Sequence, residues 1–167
     1  MITLATFEHL PAINSIYNQA VEDGLRTAHV TPLSLVERKS WFYEHSEDRY
    51  PVFVYIQDDR VLGWISISAY RADRQALDEV VEVSYYVHYD HHGKGIGSRL
   101  MQYAINFCTK AHYRMMVAIL IGNNRPSIGL LRKYDFQEGG RIPNAIHSNK
   151  EFQDHLYMYK ILSLHFS

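Results

Sequence analysis

His91-His92-Gly93-Lys94-Gly95-Ile96-Gly97-Ser98 is the stretch that decides how this chain is read. It sets three glycines at alternate positions between an apolar run, Val80 to Val87, and a helical pattern that begins near Ser98. A strand, a glycine loop and a helix start form an arrangement for holding phosphate. Glycine lets the backbone turn tightly and approach a ligand closely. The unpaired N–H groups of the first helical turn then point at the anion, and the helix dipole adds to the attraction. Lys94, Arg99 and the two histidines supply positive or protonatable character. Two familiar phosphate loops do not fit. The dinucleotide pattern needs a glycine where this chain has Ser98, and the P-loop needs Ser or Thr where it has Gly95. The competing reading is a glycine-rich turn with no ligand, which three glycines in five residues disfavour.

Composition limits what such a loop can serve. A chain of 167 residues has the size of a single domain, 1–167, with one good core. Apolar residues at 47% and charged residues at 21% are ordinary for a globular domain. A formal net charge of −1 argues against a general nucleic-acid binder, which carries a basic excess. The lone Cys108 cannot form an internal disulfide and fits a reducing compartment. Met1 to Leu10 has no basic region followed by an apolar stretch, and no apolar run is long enough to span a bilayer. These features point to a cytoplasmic enzyme or binding module with no membrane partner.

Periodicity then orders the elements. Leu10, Ile13, Ile16, Tyr17, Ala20 and Val21 recur at helical spacing over His9 to Val21. A second helix follows Thr31-Pro32, capped by Ser34 with Glu37 closing a capping box, and with Leu35, Trp41 and Phe42 as candidate core contacts. Val52 to Gln57 and Val61 to Ser68 read as strands joined at Asp58-Asp59-Arg60. Arg71 to Asp78 is a charged loop, and Val80 to His88 a strand. After the glycine loop, Gly97, Leu100, Met101, Ala104, Ile105 and Cys108 form one helical stripe. Met115 to Ile121 is a short apolar strand. Asn124 caps a short helix that has Pro126 in its first turn and ends near Lys133. Phe136 to Ile142 and Gln153 to Leu162 close the order as strands.

Gly93-Lys94-Gly95-Ile96-Gly97 resembles the acyl-CoA pyrophosphate loop of the GCN5-related N-acetyltransferases. Its surroundings resemble the phosphinothricin and L-amino-acid N-acetyltransferase branch of that family. Ile16 to Val21 looks like the branch's first helix, Tyr50 to Val54 its second strand, and Val81 to His88 its central strand. Val117 to Ile119 with Asn123 to Ile128 looks like the fifth strand and the next helix start. The likeness keeps its order over nearly the whole chain. It implies an α/β (α+β) fold with a mixed, mostly antiparallel central sheet of six to seven strands and helices on both faces. It also implies acetyl-CoA as co-substrate, with no metal.

Acetyl transfer to an amine needs a held thioester, a base, donors for the tetrahedral oxyanion and, in many enzymes, an acid for the thiolate. Strand alternation places Glu82, Ser84, Tyr86 and His88 on one face of the central strand and Val81, Val83, Tyr85 and Val87 on the other. A carboxylate in such a strand lies at a solvated edge or in a functional cleft. Glu82 is the base candidate, and the branch carries glutamate at the matching place. The resemblance further implies that Tyr85, Tyr86 and Val87 bind the pantetheine arm through their backbone, with an oxyanion donor at the Val87 N–H. It assigns His92, Gly93, Lys94, Gly95, Ile96, Gly97 and Ser98 to the phosphates, and matches Asn124 and Ser127 to the family's Asn and Ser positions. Asn124 reads equally as a plain helix cap. Cys108 falls on the apolar stripe and reads as core.

The chain also departs from the family pattern. His92 stands where Arg or Gln is usual, which makes CoA affinity pH-sensitive. Leu131 stands where members carry a Tyr or His acid, so that acid is absent, and Tyr134, three residues on, reads as core packing or as a weak substitute. Asp135 replaces a common glycine. Ala76-Leu77 replaces a Tyr-Arg pair in the substrate loop, leaving Arg71 or Arg74 for a substrate carboxylate. Phe152 falls where the branch has an aromatic, and Tyr70, Tyr157 and Tyr159 are further candidates for an acceptor pocket. His88, His91 and His92 match no common zinc spacing. The aromatic segment Leu156 to Phe166 suits a homodimer interface. The expected activity is transfer of acetyl from acetyl-CoA to the primary amine of a small molecule, an amino acid or an analogue of the phosphinothricin or methionine sulfoximine type. The alternatives are an acyl-CoA-binding module or sensor, and a protein N-acetyltransferase.

Overall fold

A computed structural model describes residues 1–148 and 151–162. Its elements run β1 (Ile2–Leu4), α1 (Leu10–Asp23), α2 (Leu35–Tyr43), β2 (Val52–Gln57), β3 (Arg60–Ala69) and β4 (Val80–Val87), then α3 (Ile96–Lys110), β5 (Met115–Ile121), α4 (Arg125–Lys133), β6 (Gln137–Ser148) and β7 (Glu151–Ile161). The strands form a seven-stranded sheet in the order β1-β2-β3-β4-β5-β7-β6. Every neighbouring pair is antiparallel except β4 and β5. This is the mixed, mostly antiparallel sheet that the sequence predicts.

Alternation along the strands divides the core between the two faces. Ile65, Ile67, Val81, Val83, Met116, Ala118 and Met158 meet the α3 stripe of Leu100, Met101, Ala104 and Cys108. Val52, Val54 and Trp64 meet Leu10, Ile13, Ile16 and Tyr17 of α1. Local chemistry sets the boundaries. The Ser34–Glu37 capping box starts α2, and Gly24, with φ of 70°, ends α1. Asp58 and Asp59, at φ of 50° and 55°, make the two-residue hairpin turn between Gln57 and Arg60.

Several expectations are corrected. β1 has no counterpart in the sequence reading, because three residues carry no period and their pairing partners, Phe53 to Tyr55, lie about fifty positions away. α3 starts at Ile96, ahead of Ser98. Leu35 is 44% exposed and is not a core contact. α2 instead buries Arg38, whose guanidinium stacks 4.5 Å from the Tyr17 ring, 4.6 Å from Trp41 and 5.6 Å from Trp64. β6 runs on past Ile142 to Ser148. The register shift between Ile142 and Ile146 carries the strand past Pro143, with Asn144 at φ 54° and its N–H donating to Asp154 Oδ1 at 3.0 Å. Residues 163–166 of the expected interface segment lie outside the described residues. No described helix is long and apolar enough to cross a membrane.

Candidate active site

The parallel β4–β5 pair is short. Its register covers only Val80↔Met115, Val81↔Met116 and Glu82↔Val117. Beyond that point β4 stays with β3 as far as Gly63↔Val87, and β5 stays with β7 as far as Ile121↔His155. The sheet therefore forks after Glu82 and Val117. A cavity of about 510 Å³ fills the fork, lined by Val83 to Val87 on one side and Ala118 to Leu120 on the other.

Strand alternation decides which main-chain groups face the opening. The His88 N–H donates to Leu62 and the Val80 carbonyl accepts from Tyr70, so even-numbered residues turn their main chain toward β3. By the same alternation Tyr85 and Val87 direct theirs into the fork. Tyr86 lines the cavity but directs its own N–H and C=O at β3. His92 Nε2–H donates to the Val87 carbonyl at 2.9 Å, which occupies that acceptor and leaves the Val87 N–H as the donor at the opening.

The glycine loop closes one end of the cavity. Gly93 and Gly95 hold φ of 75° and 77°, a region that side-chain-bearing residues rarely adopt. Gly95 is the N-cap of α3, and the first intrahelical bond runs from the Arg99 N–H to the Gly95 carbonyl. The N–H groups of Ile96, Gly97 and Ser98 precede that bond and have no intrahelical acceptor, which is what an anion-binding turn requires. A Cβ on Gly97 would sit 3.2 Å from Leu130 Cδ2, so glycine here lets α3 and α4 approach. His92, Gly93, Gly95, Ile96, Gly97 and Ser98 all line the cavity. Lys94 does not; its Nζ donates to the Asp90 carbonyl at 3.1 Å. Lys133 Nζ donates to Ser98 Oγ at 3.0 Å, bringing a cation to the start of α3 from another element.

The start of α4 supplies the opposite wall. Asn124 Oδ1 accepts from the Ser127 N–H at 3.3 Å, so it caps the helix and lines the cavity together. The Ser127 hydroxyl meets the Tyr85 hydroxyl, and burial pushes the Tyr85 phenol up to about 12. Leu131 is fully buried in the same wall and offers no proton. Cys108 is buried on the inner face of α3, and burial raises its thiol to about 12, which leaves it protonated and inert.

Other sequence candidates lie outside this cavity. Glu82 sits at the apex of the fork, on the α1–α2 face, where burial alone raises its carboxyl above the usual range. The Tyr134 hydroxyl donates to the Ser98 carbonyl at 2.7 Å, beyond the cavity lining. Arg71 and Arg74 lie on the exposed loop that leads into β4. Phe152 is 63% exposed and stacks on His147 at a ring distance of 4.7 Å. Sequence reasoning missed Arg26 and Tyr89, which also line the cavity. Asp23 joins them, accepting from Arg26 Nε and from the Tyr89 hydroxyl, each at 2.8 Å. No local pattern marks this group, because its members come from α1, the following loop and the turn after β4.

A forked sheet whose opening ends at a glycine-led helix start defines an acyl-CoA-binding transferase. Residues 13–136 match the Acetyltransferase (GNAT) family, and the chain belongs to that family. It is 35% identical over 137 residues to the L-methionine sulfoximine/L-methionine sulfone acetyltransferase of Pseudomonas aeruginosa strain PAO1, covering 81% of this chain and 79% of that protein. Among solved structures, the N-acetyltransferase of Staphylococcus aureus Mu50 superposes with a TM-score of 0.93 at 31% identity, covering 98% of both chains. A phosphinothricin acetyltransferase from Sinorhizobium meliloti, in complex with acetyl-CoA, superposes with a TM-score of 0.91 at 29% identity, covering 96% of this chain and 87% of that one. The protein is accordingly an acetyl-CoA-dependent acetyltransferase acting on an amine. The fork is the right kind of cradle for the co-substrate, with free strand groups for an extended amide arm and free helical N–H groups for phosphate.

Proposed function

We propose that the acceptor is a small primary amine of the amino-acid type, including phosphinothricin or methionine sulfoximine, and that Glu82 is the base. The observation that carries this reading is the position of Glu82, a partly buried carboxylate at the point where β4 and β5 part. The amino-acid-like substrates named for the Pseudomonas relative support the acceptor class.

In the proposed reaction the pantetheine arm adds to β4 as an extra strand along Tyr85 and Val87. Its pyrophosphate rests on the turn formed by Gly93 to Ser98. Glu82 takes one proton from the acceptor ammonium. The freed nitrogen lone pair attacks the thioester carbon, and the Val87 N–H donates to the developing oxyanion. Collapse of the tetrahedral intermediate breaks the C–S bond and expels CoA as thiolate, which takes the second ammonium proton from the nitrogen as the amide forms. Leu131 supplies no acid, and a thiolate near its ordinary pKa of about 8.5 leaves without one. Arg71 and Arg74, on the loop into β4, are the cations for a substrate carboxylate. We further propose that the chain acts as a cytoplasmic homodimer paired through β6 and β7, where Ile142, Phe152 and Ile161 expose apolar surface.

The test is thiol release from acetyl-CoA across a panel of amino acids, their sulfone, sulfoximine and phosphinic analogues, and simple polyamines. Turnover confined to the amino-acid-like amines supports the reading. Tight acetyl-CoA binding without turnover of any amine would overturn it in favour of an acyl-CoA-binding module.

A further inference from the structure

Beside Glu82 lies a hydrogen-bonded pair that neither the co-substrate cavity nor the proposed base uses. His45 follows α2 and is half-buried, with its ring centroid 4.4 Å from that of Trp41. Its Nδ1 lies 2.8 Å from the Trp41 carbonyl, and its Nε2 lies 3.1 Å from Ser68 Oγ. Ser68 in turn pairs directly with Glu82 across β3 and β4. Directly paired residues share a sheet face, with Cβ atoms about 4.5–5.5 Å apart. Three chain segments thus place imidazole, hydroxyl and carboxylate in a row on the face opposite the α3 side.

The protons in this row follow from elementary bonding rules. A carbonyl only accepts, so Nδ1 carries the proton. Burial disfavours the imidazolium, so the ring is neutral and Nε2 presents a lone pair. Ser68 must then donate its single hydroxyl proton to His45. Its oxygen is left with lone pairs only, on the residue that pairs with Glu82 on the same sheet face. Two acceptors side by side with no donor between them suit a group rich in N–H, and the ammonium of an acceptor amine is such a group.

We propose that neutral His45 fixes the Ser68 hydroxyl so that Ser68 Oγ and Glu82 together grip the acceptor ammonium. Ser68 is then a substrate-binding residue and His45 a positioning residue that acts through it. This inference rests on the reading of Glu82 as base. After Glu82 takes one proton, a remaining N–H stays on Ser68 Oγ and holds the nitrogen lone pair toward the thioester. Protonation of His45 reverses the row. Nε2–H then donates to Ser68, whose hydroxyl proton turns to Glu82 and competes with the ammonium. The charged groups facing His45 among the described residues are Glu44 and Arg38 of its own segment, which respectively favour and oppose its protonation. Glu82, on β4, pairs with the Ser68 that His45 contacts.

Two measurements on the full chain test the proposal. Imidazole ¹⁵N resonances need no acceptor and should show His45 as the neutral Nδ1–H form at pH 7; an Nε2–H or doubly protonated ring would overturn it. Steady-state kinetics then use L-methionine sulfone, or whichever panel amine is turned over. A hydrogen bond to a charged group predicts that Ser68→Ala raises the acceptor KM about ten- to a hundredfold, while the acetyl-CoA KM stays within about twofold. Ser68→Thr should restore the acceptor KM. His45→Gln offers an acceptor that does not titrate, and should keep acceptor affinity while removing one ionisation from the acid limb of kcat/KM. An unchanged acceptor KM in Ser68→Ala sinks this inference, even where Glu82→Gln lowers kcat. Equal losses in both KM values would reduce Ser68 to a structural contact. Full kcat in Glu82→Gln with a raised acceptor KM in Ser68→Ala would remove the base and leave the ammonium site.

Discussion

Replacing Glu82 by Gln separates catalysis from stability in opposite directions. The side chain keeps its shape and loses its charge. A general base contributes about 10²–10⁴ in rate, which corresponds to about 3–5 kcal/mol of barrier. The variant should therefore lose kcat by that factor while the acetyl-CoA KM holds, since Glu82 lies outside the lining of the co-substrate cavity. Stability should move the other way. Burial raises the Glu82 carboxyl above its ordinary value of 4.5 in the folded chain. A folded-state pKa above the unfolded one means that the native state binds the proton more tightly, so stability falls as pH rises through that window. At pH 8 the wild type carries the full cost of a desolvated carboxylate, and Glu82→Gln does not. The variant should melt at the same temperature or higher at pH 8, and any advantage should vanish below pH 4. The same raised pKa makes kcat/KM fall as pH drops through it, a limb that the variant lacks. Thermal melts at both pH values, beside thiol release, make the assay. A variant that melts clearly lower, or that keeps kcat within about twofold, would refute the reasoning, because a buried catalytic carboxylate predicts neither.

Three further outcomes follow from the same geometry. Gly95→Ala forces a φ of 77° on a residue with a Cβ, with no atom within 4 Å of the new carbon, so strain alone acts. It should cost about 1–2 kcal/mol in a melt and, where the loop relaxes instead, raise the acetyl-CoA KM about tenfold. Tyr134→Phe removes a hydroxyl committed to the Ser98 carbonyl, and should leave kcat within about twofold while costing about 1 kcal/mol of stability; a hundredfold fall in kcat would put that hydroxyl in the chemistry. Leu100→Ala empties a fully buried position on the α3 stripe, and chemical denaturation should show a loss of about 2–5 kcal/mol with unchanged denaturant slope.

The element order was legible wherever a segment was long and regular. The α3 stripe, the Ser34–Glu37 box and the Asn124–Pro126 helix start are local signals, and the chain folds there as they direct. β1 was not legible, because its three residues gain their structure only from β2. The full length of β6 was hidden because a register shift carries the strand past Pro143. The left-handed glycine turn ahead of α3 was legible too, since glycines at φ of 75° and 77° are a property of the loop itself. Sequence alone determined the fold class, through the order of elements along nearly the whole chain, and with it the glycine-led helix start and the carboxylate on the central strand, each of which is encoded within a few residues. Only the tertiary structure decided that the sheet forks at Glu82, that the Tyr134 hydroxyl is committed to the Ser98 carbonyl, and that His45 reaches Ser68 across 23 positions. Those facts depend on strand register and helix docking. Both are set by how the whole core packs, and no short window of sequence contains that.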